Sequence, residues 1–109
     1  MAEPTLQDVF GASVTQDDYY LTITKSDFSN LTATANNTAE SLLVALLLKA
    51  KDYLNQANFD ANLDQSILIE SGLSSFLGRG VDNTTYRTDS MTVSLAKIDT
   101  TGALNPDDY

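Results

Sequence analysis

The chain has 109 residues, enough for one domain with its own hydrophobic core. It contains neither cysteine nor histidine, which excludes disulfides, thiolate and imidazole metal ligands, and Ser-His-Asp or Cys-His catalysis within this chain. Its formal net charge of −9, from 15 acidic and 6 basic residues, disfavours nucleic acid and anionic membranes as partners. We therefore expect a protein, a cation or a neutral small molecule as partner, and no cofactor.

The sequence also predicts no targeting segment and no membrane span. Its N-terminal residues lack the positively charged and apolar regions of a secretory signal. The longest apolar run extends from Leu42 to Leu48, far short of the roughly 20 residues that cross a bilayer. These features predict a cytoplasmic or particle-associated protein.

The N-terminal part is expected to be an arm followed by a strand. Residues 1–16 form the arm, in which Leu6, Val9 and Phe10 have the i, i+3, i+4 spacing of one helical turn. Residues 18–25 alternate between an apolar face and a face of tyrosine and threonine. This alternation is typical of a half-buried strand.

The clearest element is a helix expected from Thr38 to Ala57. Asn37 is its predicted N-cap, and Glu40 three residues later is placed to complete a capping box. At about 100° per residue, the apolar side chains share one wide stripe on this helix. The stripe consists of Leu42, Leu43, Leu46, Leu47, Ala50, Tyr53, Leu54 and Ala57.

The second half of the chain reads as a series of short strands. Ser66–Glu70 is apolar on both faces, which indicates an interior strand. Leu73–Leu77 is compatible with either a strand or a single helical turn, and the glycines at 78 and 80 predict a tight turn after it. Residues 84–98 include a strictly alternating strand pattern, and residues 99–109 have the composition of a flexible tail.

Together these elements predict an α+β fold in the order β-α-β-(β)-β. The economical architecture is a single domain over residues 17–98, with the long helix packed on one face of a three- to four-stranded mixed sheet. The first strand and the strand after the helix are expected to pair in parallel through a right-handed crossover.

One candidate cation site lies in the connection that follows the helix. Asp60, Asn62 and Asp64 fit positions 1, 3 and 5 of an EF-hand loop, whose alternate oxygen ligands converge on Ca²⁺. Gln65 then occupies the position of the required glycine, and Ser71 occupies that of the bidentate glutamate. The alternative is a connection that uses Asn and Asp because they tolerate turn geometry.

A candidate interface lies on the helix itself. Val44 and Leu48 are four residues apart and therefore neighbours, yet they fall on the side of the helix that should face water. Either another subunit covers them or the N-terminal arm does, since its own apolar residues also need a place to pack.

Three functions compete on this evidence. The favoured hypothesis is a non-catalytic structural or assembly subunit, part of a phage-like or other self-assembling complex and able to form a homo-oligomer, because both ends resemble exchangeable arms and acid–base residues are scarce. The alternative is a small binding module for Ca²⁺ or a neutral ligand. An enzyme using Asp, Tyr or Arg alone is the least favoured, so no catalytic residue is assigned.

Overall fold

The computed structural model describes residues 3–99 and 102–109, and within them the fold is α+β, with helices and antiparallel strands. The elements are α1 (Leu6–Phe10), β1 (Thr15–Gln16), β2 (Leu21–Thr22), α2 (Ala39–Tyr53), α3 (Gln56–Ala61), β3 (Ile67–Arg79) and β4 (Thr84–Leu95). Short 3₁₀ turns cover Lys25–Asp27 and Pro106–Asp108.

Local side-chain hydrogen bonds fix where α2 begins. Thr38 is the N-cap, because its hydroxyl accepts a hydrogen bond from the Ser41 N–H. The prediction that Asn37 caps the helix was wrong. The Asn37 side chain instead holds the preceding loop together, accepting from the Thr34 N–H and donating to the Thr32 carbonyl.

The helix also ends earlier than its apolar stripe suggested. It stops at Tyr53, where Leu54 closes the last turn by donating its N–H to the Ala50 carbonyl. Asn55 then starts the separate helix α3, because its side-chain oxygen accepts a hydrogen bond from the Asn58 N–H. A second N-cap therefore divides what the periodicity presented as one helix.

Strands β3 and β4 form a long antiparallel hairpin. Pairing runs from Ile67 opposite Leu95 to Arg79 opposite Thr84. The connecting turn is closed by the Asn83 N–H, which donates to the Gly80 carbonyl, and both of these residues have positive φ. The stretch that sequence left open between strand and helical turn is therefore strand, and the turn expected at its end is present.

The predicted three- to four-stranded mixed sheet was wrong. In the described residues, β3 pairs with β4, and β1 pairs with β2 through Thr15–Thr22 and Gln16–Leu21. The expected strand over 18–25 contracts because the Asp17 carboxylate accepts the N–H groups of Tyr19 and Tyr20 and turns the chain back on itself. Strand β2 therefore meets the segment just before it and makes no parallel crossover to β3.

The core lies where α2 meets the start of the hairpin. Ala50, Leu54 and Ile69 form a buried cluster, against which further apolar side chains pack. These are Val9, Ile67 and Met91. The Ile69 N–H donates to the Leu54 carbonyl at 2.8 Å, which joins the backbone of β3 to the end of α2. Within the described residues, we find no helix that combines the length and apolarity needed to cross a bilayer.

The two segments predicted as chain ends contain local structure. The segment 1–16 includes α1, which has a Thr5–Asp8 capping box and packs on α2. The segment 99–109 includes the second 3₁₀ turn, where Asp108 pairs with Lys97 at 2.9 Å. Residues 1, 2, 100 and 101 lie outside the described residues, and the division into arm, domain and tail stays a prediction.

Candidate interaction surface

The hairpin passes from the core into solvent along its length. Leu68 and Ile69 are buried, whereas every residue of β3 from Glu70 to Arg79 is exposed. Strand β4 is exposed apart from half-buried positions at Thr88 and Met91. We call residues 70–92 the distal hairpin and residues 3–69 with 93–99 the body. The principal dimensions of 49 × 35 × 27 Å reflect this elongated shape.

Large apolar side chains lie on the distal hairpin with little cover. Leu73 is 88% exposed and Phe76 is 70% exposed, and Val81 in the turn is fully exposed. Exposed apolar residues also occur on the body, among them the run from Tyr19 to Leu21 and the single residue Leu63, and isolated cases such as Leu63 are normal. The distal hairpin differs because its exposed side chains lie on a layer of only two strands.

Both faces of this layer are apolar in part. Directly opposed residues share a face of an antiparallel pair, so Phe76 lies beside Arg87 on one face and Leu77 beside Tyr86 on the other. On the second face Arg79 also stacks over the Tyr86 ring, 5.0 Å from its centroid. No face of the distal hairpin therefore has the fully polar character of a surface that faces only water.

One polar network lies on the Phe76 face. The Arg87 Nε donates to Asp89 Oδ1 at 2.8 Å, and the Ser74 hydroxyl donates to the same oxygen at 2.6 Å. The hydrogen bond from Ser74 has the largest effect on the pKa of the Asp89 carboxyl, followed by the hydrogen bond from Arg87. Both hold this pKa below its usual value of 3.8. This group is therefore charged at neutral pH, and it remains exposed to a partner's charges.

Charge is distributed unevenly between the two regions. The distal hairpin contains three acidic residues, Glu70, Asp82 and Asp89, and two arginines, Arg79 and Arg87. Its net charge is therefore −1, and −8 of the chain's −9 lies elsewhere. The distal hairpin therefore repels another acidic molecule less than the remainder of the chain does as a whole.

The two residues of the predicted helix interface differ in how far they are exposed. Val44 is 54% exposed on α2, next to Leu43, which is equally exposed. Leu48 is half-buried and lines a small cleft with Phe28 and Asp52. The hypothesis that these residues meet another subunit stays a prediction, and Val44 is the member available to a partner.

The three residues of the predicted cation site occupy different settings. Asp60 lies in α3, where its carboxylate accepts a hydrogen bond from the Gln56 side chain at 2.8 Å. Asn62 is only 3% exposed and donates its side-chain N–H to the Asn58 carbonyl, while Asp64 is exposed in the following turn. In the described part of the chain, no group of three His, Cys, Asp or Glu residues is placed to hold a metal ion. Calcium binding here stays a prediction.

Two buried amides connect α3 to the base of the hairpin. Gln65 donates from its side-chain nitrogen to the carbonyls of Asn55 and Ile67. The side-chain oxygens of Gln65 and Asn62 are buried without a hydrogen-bond partner in the described structure. Both residues border an open groove of about 560 Å³ that also includes Lys97 and Asp108. Because the two oxygens are themselves buried, a molecule in the groove does not contact them.

Sequence reasoning missed the distal hairpin as a surface, although a signal for it was present. The strand-forming runs over 67–79 and 84–95 flank a four-residue segment that begins with Gly80 and ends with Asn83, and this arrangement is typical of a hairpin. What the pattern could not indicate is that the described part of the chain places no second layer over it.

No protein-family model matches the chain, and no significant match exists among curated proteins or solved structures.

Proposed function

We propose that this chain is a non-catalytic subunit of a protein assembly and that the distal hairpin is its contact element. The observation that carries the proposal is the exposure of Leu73, Phe76 and Tyr86 on both faces of a two-stranded layer. An isolated two-stranded hairpin is marginally stable in water. A partner that covers these side chains would supply the apolar burial that the described fold does not.

The charges favour a protein as the partner. A net charge of −9 opposes binding to a phosphate backbone or to an anionic bilayer. Tyrosine, phenylalanine and arginine, which are enriched at protein interfaces, all lie on the distal hairpin at Tyr86, Phe76 and Arg79. The composition of the surface therefore agrees with a protein contact.

The two carboxyl groups with a lowered pKa do not have the properties of a general acid. Backbone N–H groups of Tyr19 and Tyr20 lower the pKa of Asp17, and Ser74 and Arg87 lower the pKa of Asp89. Both shifts favour the charged form at exposed positions, whereas a carboxyl that acts as a general acid near neutral pH needs a raised pKa. These shifts are those expected of local structural hydrogen bonds.

A photo-crosslinking experiment tests the proposal. A photoreactive amino acid replaces Phe76 in the full chain, expressed in the cells that naturally make it, and a matched control carries the same group at Leu63, an exposed apolar position on the body. We expect a discrete protein adduct from position 76 and none from position 63. The absence of any adduct from position 76, with the protein folded and abundant, would contradict the proposed contact.

A further inference from the structure

The outer edge of β4 carries main-chain groups that point away from the hairpin. The Ile69 N–H donates to Leu54 of the body, so the polar backbone groups of Ile69 face away from β4. In an antiparallel ladder the directly opposed residue does the same, and that residue is Val93. Since the pattern has a period of two, the backbone groups of Arg87 and Asp89 also point outward from β4.

The register of β4 is uninterrupted over this stretch. The shift between the two halves of the ladder belongs to β3, where Gly72 and Leu73 together oppose Ser90. A methyl group added at Gly72 would lie 3.0 Å from the Ser90 Cβ, as expected for the close approach at such a bulge. Strand β4 can therefore offer a regular edge to another strand.

This edge lacks two of the usual protections against pairing. Proteins often block an exposed edge with lysine or proline, and β4 contains neither from Thr84 to Leu95. It is instead rich in threonine, which favours extended structure. Among the described elements, β3 is the strand with which β4 pairs.

The charges on this edge are complementary to those of a second copy. Arg87 and Asp89 are two apart, share a face and have opposite charge. A two-fold axis through Thr88 places Arg87 opposite Asp89 of the partner subunit, and Asp89 opposite the partner's Arg87. The four charges then alternate in sign, with the 2.8 Å contact within each strand preserved.

Other positions of the two-fold axis do not place opposite charges across from each other. An axis at Arg87 or at Asp89 sets two like charges directly opposite each other, which destabilises an antiparallel pair. An axis at Ser90 places Asp89 opposite the apolar Met91 of the partner subunit. The axis at Thr88 also aligns threonine with threonine, at Thr88 itself and where Thr84 meets Thr92 of the partner subunit. Opposed threonines are favourable pairs in sheets.

We infer that two copies of this chain associate through β4, antiparallel about a two-fold axis at Thr88, to form a continuous four-stranded sheet. This inference rests on the proposed function, because it uses the distal hairpin as the contact element. It adds a second copy at the edge of β4, and both apolar faces of the joined sheet stay available to a further protein. The near-neutral distal hairpins meet at the axis, and each carries its strongly acidic body away from the contact. Main-chain hydrogen bonds join the strands, and the Arg87–Asp89 network sets their register.

Charge-reversal variants test the inference in the full chain. Arg87→Asp makes both edge positions negative, and Asp89→Arg makes both positive, so each variant opposes like charges across the axis. We expect light scattering to give a dimer mass for the natural chain and at least about tenfold weaker self-association for each variant. An equimolar mixture of the two variants should recover a dimer, because every opposed pair in the mixed species is again of opposite sign.

Controls separate a change of register from a change of folding or net charge. Both side chains are largely exposed, so circular dichroism should show unchanged folding. Asp18→Arg at an exposed position on the body changes net charge as Asp89→Arg does and should not affect association. A monomeric natural chain, or a mixture that stays monomeric, overturns the inference. If the natural chain is monomeric while position 76 still crosslinks to another protein, this inference fails and the proposed function stands; if neither association is found, both fail.

Discussion

The two ends of the same hairpin show how differently one pair of strands can be stabilised. At its base, Ile69 is buried against Ala50 and Leu54, and its backbone N–H donates to the Leu54 carbonyl of the body. Seven residues farther along β3, Phe76 has a comparable apolar side chain and contacts solvent. Both ends pair in the same ladder, so the second layer of packing makes the difference.

This comparison separates folding from association. The body supplies the buried apolar surface that stabilises the described fold, and the base of the hairpin is part of it. The distal hairpin has ladder hydrogen bonds but little burial, so its local opening should cost less free energy than opening at the base. Regions of this kind are well suited to acquire their remaining stability from a partner.

The largest effect is expected from a cavity at the base of the hairpin. Ile69→Ala removes a core side chain from the cluster with Ala50 and Leu54, and should lower the free energy of unfolding by about 3 kcal/mol. Urea denaturation followed by circular dichroism measures this change. The matched variant Leu73→Ala on the distal hairpin should change it by less than about 0.5 kcal/mol. Equal losses at both positions would show that the distal hairpin is also part of the core.

A smaller contrast is expected between two glycines in the left-handed region. Gly11 has a φ of +116°, and a Cβ at this position would lie 2.7 Å from the Asp27 Cβ. Gly11→Ala combines backbone strain with this clash and should cost about 2 kcal/mol. Gly80 has a φ of +83° with open space around it, so Gly80→Ala should cost about 1 kcal/mol from strain alone. Thermal unfolding of both variants measures the difference, and the reverse order would contradict the packing described at Gly11.

A cap substitution should have a still smaller effect on the body. Thr38→Ala removes the hydroxyl that accepts from the Ser41 N–H, which should cost about 1 kcal/mol of stability. Thr38→Ser keeps the acceptor and should stay within a few tenths of a kcal/mol of the natural chain. Chemical denaturation measures both variants. A loss for Thr38→Ser as large as that for Thr38→Ala would contradict the role of the Thr38 hydroxyl as the cap.

The smallest effect is a pH dependence on the distal hairpin. Ser74 and Arg87 lower the pKa of Asp89 in the folded chain. The charged carboxylate therefore stabilises this region at pH values above 3.8, the usual pKa of the group. That contribution is lost as the pH falls through the lowered pKa. Ser74→Ala should move the pKa of Asp89 back toward its usual value, as measured by NMR titration of the carboxyl carbon. The pKa of Asp17, which depends on Tyr19 and Tyr20, should not change in the same titration.

Predictions from the sequence were accurate where local periodicity decided the structure. The stripe on α2 and the alternation in β4 indicated both elements, because residues on one face repeat every 3.6 residues in a helix and every two in a strand. The same reasoning failed at Asn37, Asn55 and Asp17, where one side-chain hydrogen bond moves the end of an element. Several nearby polar residues can form such a bond, and the periodicity does not distinguish among them.

The candidate surface could be predicted only in part. The hairpin signal around Gly80 and Asn83 was readable, yet the alternation in β4 suggested a strand with one buried face. The predicted interface residue Val44 is exposed, while Leu48 is partly covered by the loop that contains Phe28. Which apolar side chains are covered depends on how separate elements pack, and neighbouring residues in the sequence do not contain that information.

By itself the sequence determined the acidic charge, the absence of thiol and imidazole chemistry, and the presence of a long helix followed by strands. These properties depend on composition and on local periodicity. The tertiary structure alone decided that β3 and β4 stand as a two-stranded layer, and that Ile69 is buried while Phe76 is exposed. Strand pairing and burial depend on which distant residues meet, and on where the body stops providing a second layer.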